Sequence, residues 1–412
     1  MNKTKPFCIS KQAVMDAYLR VKANKGSAGV DEVSLEKFEK DLKNNLYRIW
    51  NRMSSGSYIP PPVLLVEIPK KNGGKRPLGI ATVSDRIAQT VVKMQIEPLI
   101  DPVFHEDSYG YRPNKSALDA VGKCRERCWQ YKWVLDVDIK DFFNSIPHEL
   151  MMKAMEKHID CKWVLLYIKR WLTAPLQRED GTITEVTKGT AQGGVVSPIM
   201  ANLFLHYCMD EWVRHKFPNC PFERYADDSV FHCQTKSEAE KLKEQLMKRL
   251  KECGVEMHPD KTKIVYCRRG RKKELYHDVQ FDFLGYTFRP RKSLDKYGIS
   301  FLSFSPAISN KAAKTIREKM RAWNLTSRAC GKLEDVARVI NPMITGWINY
   351  YGKYHKEKLI NVLKHVNLWI QKWVMTKYKR FHKQRVKAKD WIRKIVDRKP
   401  CLMAHWRFGV RV

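Results

Sequence analysis

The sequence predicts an α+β lobe, an antiparallel sheet backed by helices, followed by an α-helical domain. Three observations predict it. Strand, helix, hairpin, helix and strand patterns follow one another up to about residue 304. A tight hairpin sits in the middle of that region, at 222–233. From about 306 onward no convincing strand appears, and the chain becomes helical in pattern, strongly basic and rich in tryptophan.

Taken in order, residues 10–50 read as helical, with a polar break at Asn24-Lys25-Gly26-Ser27-Ala28-Gly29. The stretch Ser57-Tyr58-Ile59-Pro60-Pro61-Pro62 cannot be helix interior and marks a joint. Residues 63–69 read as a strand and 75–80 as its partner, with Asn72-Gly73-Gly74 as the turn. Residues 132–139 alternate as a strand and run into Phe142-Phe143. Two short strands, 222–225 and 229–233, are joined through Asp227-Asp228. The clearest helix lies at 235–254: Ser237 with Glu240 is a capping box, Leu242, Leu246 and Leu250 repeat every four residues, and Gly254 closes it. Strands return at 262–267 and 281–288. Beyond them, 311–323, 332–354 and 359–382 read as three helices of a small basic bundle.

At 412 residues the chain exceeds one ordinary domain, and 43% hydrophobic with 29% charged residues is a globular composition. Its formal charge of +33 is costly in self-repulsion unless a polyanion compensates it. Nucleic acid is the expected partner, with an anionic membrane surface as the alternative. The charge is concentrated: residues 306–412 hold 26 Lys/Arg against 6 Asp/Glu, a net of +20, which leaves +13 for the other 305. Six of the twelve Trp (323, 347, 369, 373, 391 and 406) lie in the same stretch. Basic and aromatic residues together suit phosphate contacts with base stacking, while the alternative makes these rings the core of a helical domain. The eleven Cys include no Cys-x-x-Cys pair, which argues against a zinc module and against a secreted disulfide framework. No apolar run reaches eighteen residues, and residues 1–10 lack a signal-peptide core. A soluble protein of a reducing compartment is expected, with no membrane partner.

Adjacent Asp residues at a hairpin tip, Tyr225-Ala226-Asp227-Asp228, repel one another and need a positive partner. Upstream, Val134-Leu135-Asp136-Val137-Asp138-Ile139 puts Asp136 and Asp138 on one face of a strand, where a core strand does not carry two carboxylates. If that strand lies beside the hairpin, three or four carboxylates converge. Such a set suits hard divalent cations, magnesium best of all. Two ions roughly 3.5–4 Å apart activate an attacking hydroxyl and stabilise a leaving pyrophosphate, the chemistry of nucleotidyl transfer.

The hairpin has the Tyr-x-Asp-Asp form of reverse transcriptases, and their ordered sequence blocks surround it: VEIPKKNGGKRPLGIATVSDRIAQ, SYGYRPNKSALDAV, VLDVDIKDFFNSIPHELM, KGTAQGGVVSPIMANLFLHYCMDEW, FERYADDSV, HPDKTKIVYC and FDFLGYTFRP. Gln192-Gly193-Gly194-Val195-Val196-Ser197-Pro198 is similar to the proteins of bacterial group II introns, and NPMITGWINYYGKY resembles their maturase, or thumb, domain. The resemblance implies a right-hand polymerase: an N-terminal helical extension at 1–60, fingers at 61–130, a catalytic palm with fingers insertions at 131–304, a helical thumb at 305–385 and a short basic tail at 386–412. It implies Asp138, Asp227 and Asp228 as catalytic residues and Asp138, Ile139, Asp227 and Asp228 as the set for two Mg2+ ions, with Asp136 unassigned and zinc not expected. Phe143 matches the aromatic residue that blocks a ribose 2′-hydroxyl, with core packing as its alternative. Lys70 and Arg76 match the triphosphate clamp, Lys71 being a rival to Lys70. Gln192 matches the residue that touches the incoming nucleotide, although the family commonly has Pro where this chain has Ala191. Lys261 matches a basic residue able to protonate pyrophosphate, with Lys263 equally placed.

The implied activity is RNA-directed DNA polymerisation for a group II intron, with deoxynucleoside triphosphates, an RNA template with DNA primer, intron RNA and target DNA as partners, in a bacterial cytoplasm. Lys377, Lys379, Arg380, Lys383 and Arg385 are the expected RNA contacts. The chain ends at Val412 without the paired Cys of an HNH endonuclease, so second-strand nicking by that route is not expected, and the layout resembles group IIC proteins. Two other readings stay open. A splicing cofactor with a dead polymerase is opposed by the intact Asp138, Asp227 and Asp228. A domesticated relative, in phage defence, CRISPR-linked systems or diversity-generating elements, is opposed by the maturase-like block.

Overall fold

The computed structural model of the chain describes residues 5–69, 74–268, 276–294, 297–325 and 331–412. Lys70, Lys71 and most of the turn expected at 72–74 lie outside the described residues, and for Arg76 only the main chain is described. The chain forms two compact units, Met1–Ala120 with Leu135–Lys263, and Val121–Val134 with Ile264–Val412.

The first unit opens with helices α1 (Lys11–Asn24), α2 (Leu35–Glu39) and α3 (Leu42–Ser55). Ser10 and Ser34 cap the first two through their side-chain oxygens, and Gly56 ends the third in the left-handed conformation. Val14, Ala17, Tyr18 and Val21 bury one stripe of α1, which packs on α4 (Val83–Ile100). Strands β1 (Val63–Pro69) and β2 (Lys75–Ile80) pair antiparallel with the expected bounds, from Leu64↔Ile80 to Pro69↔Lys75. Helix α5 (Ala117–Gln130), most of which belongs to the second unit, and strand β3 (Trp133–Lys140) follow.

After β3 the chain forms α6 (Phe142–Ser145), α7 (His148–Glu156) and α8 (Lys162–Leu172), and β4 (Leu176–Arg178) then joins β1 in parallel with β5 (Ile183–Thr184) beside it. Helix α9 (Ser197–Leu205) continues through a π-helical turn, His206–Asp210, into α10 (Glu211–Lys216). Strands β6 (Phe222–Tyr225) and β7 (Asp228–Cys233) form the hairpin, α11 (Lys236–Glu252) backs it, and β8 (Glu256–Met257) pairs with β3, giving the order β6-β7-β3-β8 within a five-stranded sheet. The cap of α11 differs from the one expected. Thr235, not Ser237, is the N-cap, because its extended backbone lets its hydroxyl accept from the Glu238 N–H, while Glu238 Oε2 accepts from the Gln234 N–H.

In the second unit, β9 (Lys263–Tyr266) is followed by a three-stranded antiparallel sheet, β10 (Phe281–Phe283), β11 (Tyr286–Leu294) and β12 (Ser300–Ile308). The single strand expected at 281–288 is therefore a hairpin: Leu284 and Gly285 both take positive φ, 50° and 80°, and turn the chain back so that Phe283 pairs with Tyr286. Strand β12 also runs two residues past 306. Helices α12 (Asn310–Ala322), α13 (Leu333–Tyr351) and α14 (Lys356–Lys377) correspond to the three expected. Two more follow, α15 (Arg385–Arg398) and α16 (Ala404–Arg407), and they bury Ala388, Ile392, Met403, Trp406 and Val410 in the same core. All six tryptophans of this stretch belong to that core or pack against it, and Trp373 is fully buried. They are packing residues rather than a row of open stacking platforms.

Candidate active site

Strand β3 alternates as its sequence requires. Leu135, Val137 and Ile139 are buried, while Asp136 and Asp138 are half-buried on the opposite face. The sheet order puts β3 directly beside β7, which begins at Asp228. Asp138 and the hairpin pair thus come from adjacent parts of one sheet, the condition under which the carboxylates can converge. Tyr225 pairs with Asp228, leaving Ala226-Asp227 as a two-residue turn, and Ala226 sits at φ 58°. That left-handed conformation costs an L-residue roughly 1–2 kcal/mol, so neighbouring groups must hold the turn.

Lys261 Nζ donates to Asp138 Oδ2 at 2.6 Å, and the Asp138 carbonyl accepts from the His258 N–H at 2.7 Å. Of the two lysines left open by the sequence, Lys261 is the one that reaches this carboxylate, while Lys263 is exposed on β9. The Lys261–Asp138 pair is largely open to solvent and is worth well under about 1 kcal/mol, so it yields readily to a stronger cation. Asp138, Asp227 and Asp228 repel one another unless cations lie between them. The donors are all oxygens, half-buried and accessible, which fits hard divalent cations. Ile139 is buried and pairs with Met257, so only its main chain could contribute to such a set.

Phe143 lies in α6 just past β3, where Asp141 at φ 42° turns the chain sharply. It is 9% exposed and packs edge-on against Phe142 with centroids 5.4 Å apart. Its carbonyl accepts from the Thr190 N–H at 2.7 Å, so the segment leading to Gln192 is laid over it. Gly189 makes that crossing possible: a Cβ there would sit 2.7 Å from the Phe143 carbonyl oxygen and 2.8 Å from Asn144 Cα, and its φ is +84°. Gln192 is half-buried, and its carbonyl accepts from the Gly79 N–H of β2 at 2.7 Å. A cavity of about 390 Å³ opens beside it, lined by Leu65, Pro77, Gly79, Asn144, Thr190 and Gln192 among others. Gln192 thus lines this opening together with Asn144, while Phe143 is tied to the same loop through its carbonyl.

Two residues that the sequence did not single out fix this loop. Gln89 Oε1 accepts from the Val195 and Val196 N–H groups at 2.7 and 3.3 Å, and its amide donates to Asp85 Oδ2 at 2.9 Å. Asp85 Oδ1 accepts from Tyr58 Oη and Trp171 Nε1. Burial raises the Asp85 carboxyl above its ordinary pKa, against the lowering effect of those three donors. The available signal was a polar pair, Asp85 and Gln89, four residues apart and therefore on one face of α4.

The basic residues read as RNA contacts lie in the second unit. Lys379, Arg380, Lys383 and Arg385 are exposed on the connection from α14 to α15, and Lys377 is half-buried at the end of α14. Lys377 Nζ lies 5.0 Å from the Trp373 ring centroid and the Arg380 guanidinium 4.7 Å from that of Phe381. These two charged groups therefore sit against aromatic rings of the helical core.

The reverse transcriptase (RNA-dependent DNA polymerase) family model matches residues 68–288, more than half of the chain, and so spans Asp138, Phe143, Gln192, the hairpin and Lys261. The chain belongs to the reverse transcriptase family. A second model, the group II intron maturase-specific domain, matches residues 313–391 and includes the basic connection. Protein YkfC of Escherichia coli (strain K12) is 29% identical over 310 residues, 66% of this chain and 77% of that protein. Group II intron-encoded protein LtrA of Lactococcus lactis subsp. cremoris is 31% identical over 193 residues, 46% of this chain and 32% of LtrA. The putative COX1/OXI3 intron 2 protein of Saccharomyces cerevisiae is 29% identical over 248 residues, 55% of this chain and 28% of that protein. The chain thus spans less than a third of the length of the last two.

The right-hand polymerase reading stands, with fingers and palm built on mixed strands and helices and a helical C-terminal region. Divalent-metal dependence goes with the reverse transcriptase family, and both domains imply RNA binding. Among the described residues no helix is long and apolar enough to cross a membrane.

Proposed function

We propose that this chain copies RNA into DNA for a group II intron and binds the intron RNA to assist its splicing and movement. The observation that carries the reading is the placement of Asp138 on β3, one strand from the Tyr225-Ala226-Asp227-Asp228 turn, within a single sheet. Two Mg2+ ions held by Asp138, Asp227, Asp228 and the main chain of Ile139 would activate the primer 3′-hydroxyl and stabilise the departing pyrophosphate. The all-oxygen donor set selects magnesium over zinc.

The chain's own residues supply the rest. Phe143 forms a wall that collides with a ribose 2′-hydroxyl and admits the deoxyribose. Gln192, fixed through Gly79, Val195 and Val196, orients the incoming nucleotide at the mouth of its cavity. Lys70 and Arg76 clamp the triphosphate with charge-assisted contacts. Lys261, whose Nζ lies 2.6 Å from Asp138 Oδ2, stands where it can serve as the general acid for a departing phosphate oxygen. The substrates are deoxynucleoside triphosphates, an RNA template with a DNA primer and, at insertion, target DNA. The setting is a ribonucleoprotein in a bacterial cytoplasm, with no membrane partner.

The test is extension of a DNA primer on an RNA template by the purified chain in Mg2+. Deoxynucleotide incorporation with Mg2+, and none with Zn2+ alone, is expected. A folded chain that binds RNA yet incorporates nothing would leave only a splicing role.

A further inference from the structure

The residue before the catalytic turn's tyrosine is unusual for its position. Arg224, on β6, is fully buried, as are Asp210 at the end of the π-helical turn and Asn202 on α9. Its Nε and Nη2 donate to the two oxygens of Asp210 at 2.8 and 2.6 Å, and Nη1 donates to Asn202 Oδ1 at 2.8 Å and to the Ala226 carbonyl at 3.2 Å. Ala226 is the residue in the left-handed conformation at the tip of the hairpin. The guanidinium therefore ties the strained turn to two helical segments at once.

The other side of the turn is held by the same network. Asn202 Nδ2 donates to the Gly110 carbonyl at 2.6 Å. Gly110 lies so close to the turn that a Cβ there would sit 3.0 Å from the Tyr225 carbonyl carbon, with the Ala226 nitrogen nearer still. The backbone around it is bonded to Arg224 as well, since the Arg224 N–H donates to the Asp107 carbonyl at 3.0 Å and the Tyr109 N–H to the Arg224 carbonyl at 2.8 Å. Asp210 faces inward because the chain makes a π turn over His206–Asp210. One extra residue in a helical turn rotates the remainder of the helix by about 100°.

A buried ion pair of this kind is a weak device for stability, since apolar residues of the same volume commonly serve as well. It is a strong device for orientation, because a planar guanidinium fixes several acceptors in one plane. We infer that Arg224, with Asp210 and Asn202, is a positioning residue for Asp227 and Asp228, setting the turn at the geometry that nucleotide transfer requires. The inference rests on the reading of Asp227 and Asp228 as the catalytic pair.

The test compares the parent with the double variant Arg224→Met/Asp210→Leu, which removes both charges and leaves neither buried alone, and with Arg224→Lys, which keeps the charge but loses the planar fork. The readouts are melting temperature, primer–template affinity, single-turnover incorporation rate and the Mg2+ concentration for half-maximal rate. The double variant is expected to melt near the parent and to bind primer–template as the parent does. Its incorporation rate is expected to fall about 10²-fold, the cost of misplacing reacting groups by about 1 Å, and its Mg2+ requirement to rise. Arg224→Lys is expected to recover only part of the rate. A folded double variant with the parent's rate and Mg2+ response overturns the inference. Should that variant fail to fold, Asn202→Ser is read instead: a slower rate and a raised Mg2+ requirement support the inference, and unchanged values overturn it. A parent that incorporates nothing fails the proposed function itself, a result distinct from all of these.

Discussion

Replacing Gly110 by Ala tests whether the hairpin turn is where the chemistry happens. The new Cβ would lie 3.0 Å from the Tyr225 carbonyl carbon and 3.2 Å from its Cα, with the Ala226 nitrogen closer. Carbon contacts relax at about 3.5 Å, so the turn must retreat by at least about 0.5 Å, and the nearer nitrogen takes that toward about 1 Å. Neither side yields easily, because the Gly110 carbonyl is held by Asn202 and the turn by Arg224 and the Tyr225↔Asp228 pairing. Overpacking of this sort costs about 1–3 kcal/mol of stability, which a folded chain of this size can absorb. A shift of roughly 0.5–1 Å at Asp227 and Asp228 is expected to slow incorporation by roughly 10–100-fold. Single-turnover extension measures the rate, while a thermal melt and RNA filter binding show that fold and RNA affinity persist. A folded Gly110→Ala protein that incorporates nucleotides at the parent's rate would refute the reasoning, since the turn would then have moved without consequence.

Phe143→Val is expected to admit ribonucleotides, lowering discrimination by about tenfold or more in single-nucleotide incorporation; unchanged discrimination returns Phe143 to the core of α6. Lys379, Lys383 and Arg385 replaced together by Gln should flatten the log–log salt dependence of intron RNA binding by roughly 2–3, at about 0.7–0.9 for each phosphate no longer neutralised. An unchanged slope, measured against an unrelated duplex of equal length, removes this connection from the RNA interface. His405 is buried against Asn367, and burial depresses its pKa to about 3. The unfolded chain takes up a proton below about pH 6.5 that the native state refuses, so this contribution is full above that pH and is lost as pH falls toward 3, at up to about 1.4 kcal/mol per pH unit. His405→Gln should reduce the acid sensitivity seen in melts between pH 7 and 4.5, and identical pH profiles would contradict the assignment.

Much of the catalytic lobe was legible because its signals are local. The alternation of Leu135, Val137 and Ile139 with Asp136 and Asp138 fixes the faces of β3, and Leu242, Leu246 and Leu250 line the buried side of α11. The turn at Ala226-Asp227 is where the two carboxylates suggested. The illegible features depend on pairs far apart in sequence or on conformations that propensity disfavours. Leu284 is no turn former by type, yet it takes φ 50° beside Gly285 and divides an apparent single strand into two. Helix α15 hides its apolar stripe, Ala388 and Ile392, among eight Lys, Arg and Asp residues, so its composition reads as a basic tail. The loop around Gln192 looks like glycine-rich freedom in the sequence, but Gln89, 106 residues away from Val195, pins it. Arg224 and Asp210 are 14 residues apart with α10 between them, and no periodicity announces that they meet.

The most direct measurement of the central claim is primer extension on an RNA template by Asp227→Ala/Asp228→Ala beside the parent, in Mg2+ and deoxynucleoside triphosphates, with RNA binding measured on the same preparations. The parent is expected to extend the primer. The double variant is expected to bind RNA with nearly the parent's affinity, because the basic connection at 377–385 belongs to the other unit, and to extend nothing. Undiminished extension by the folded double variant would contradict the account, since the chemistry would then not depend on the carboxylates of the hairpin.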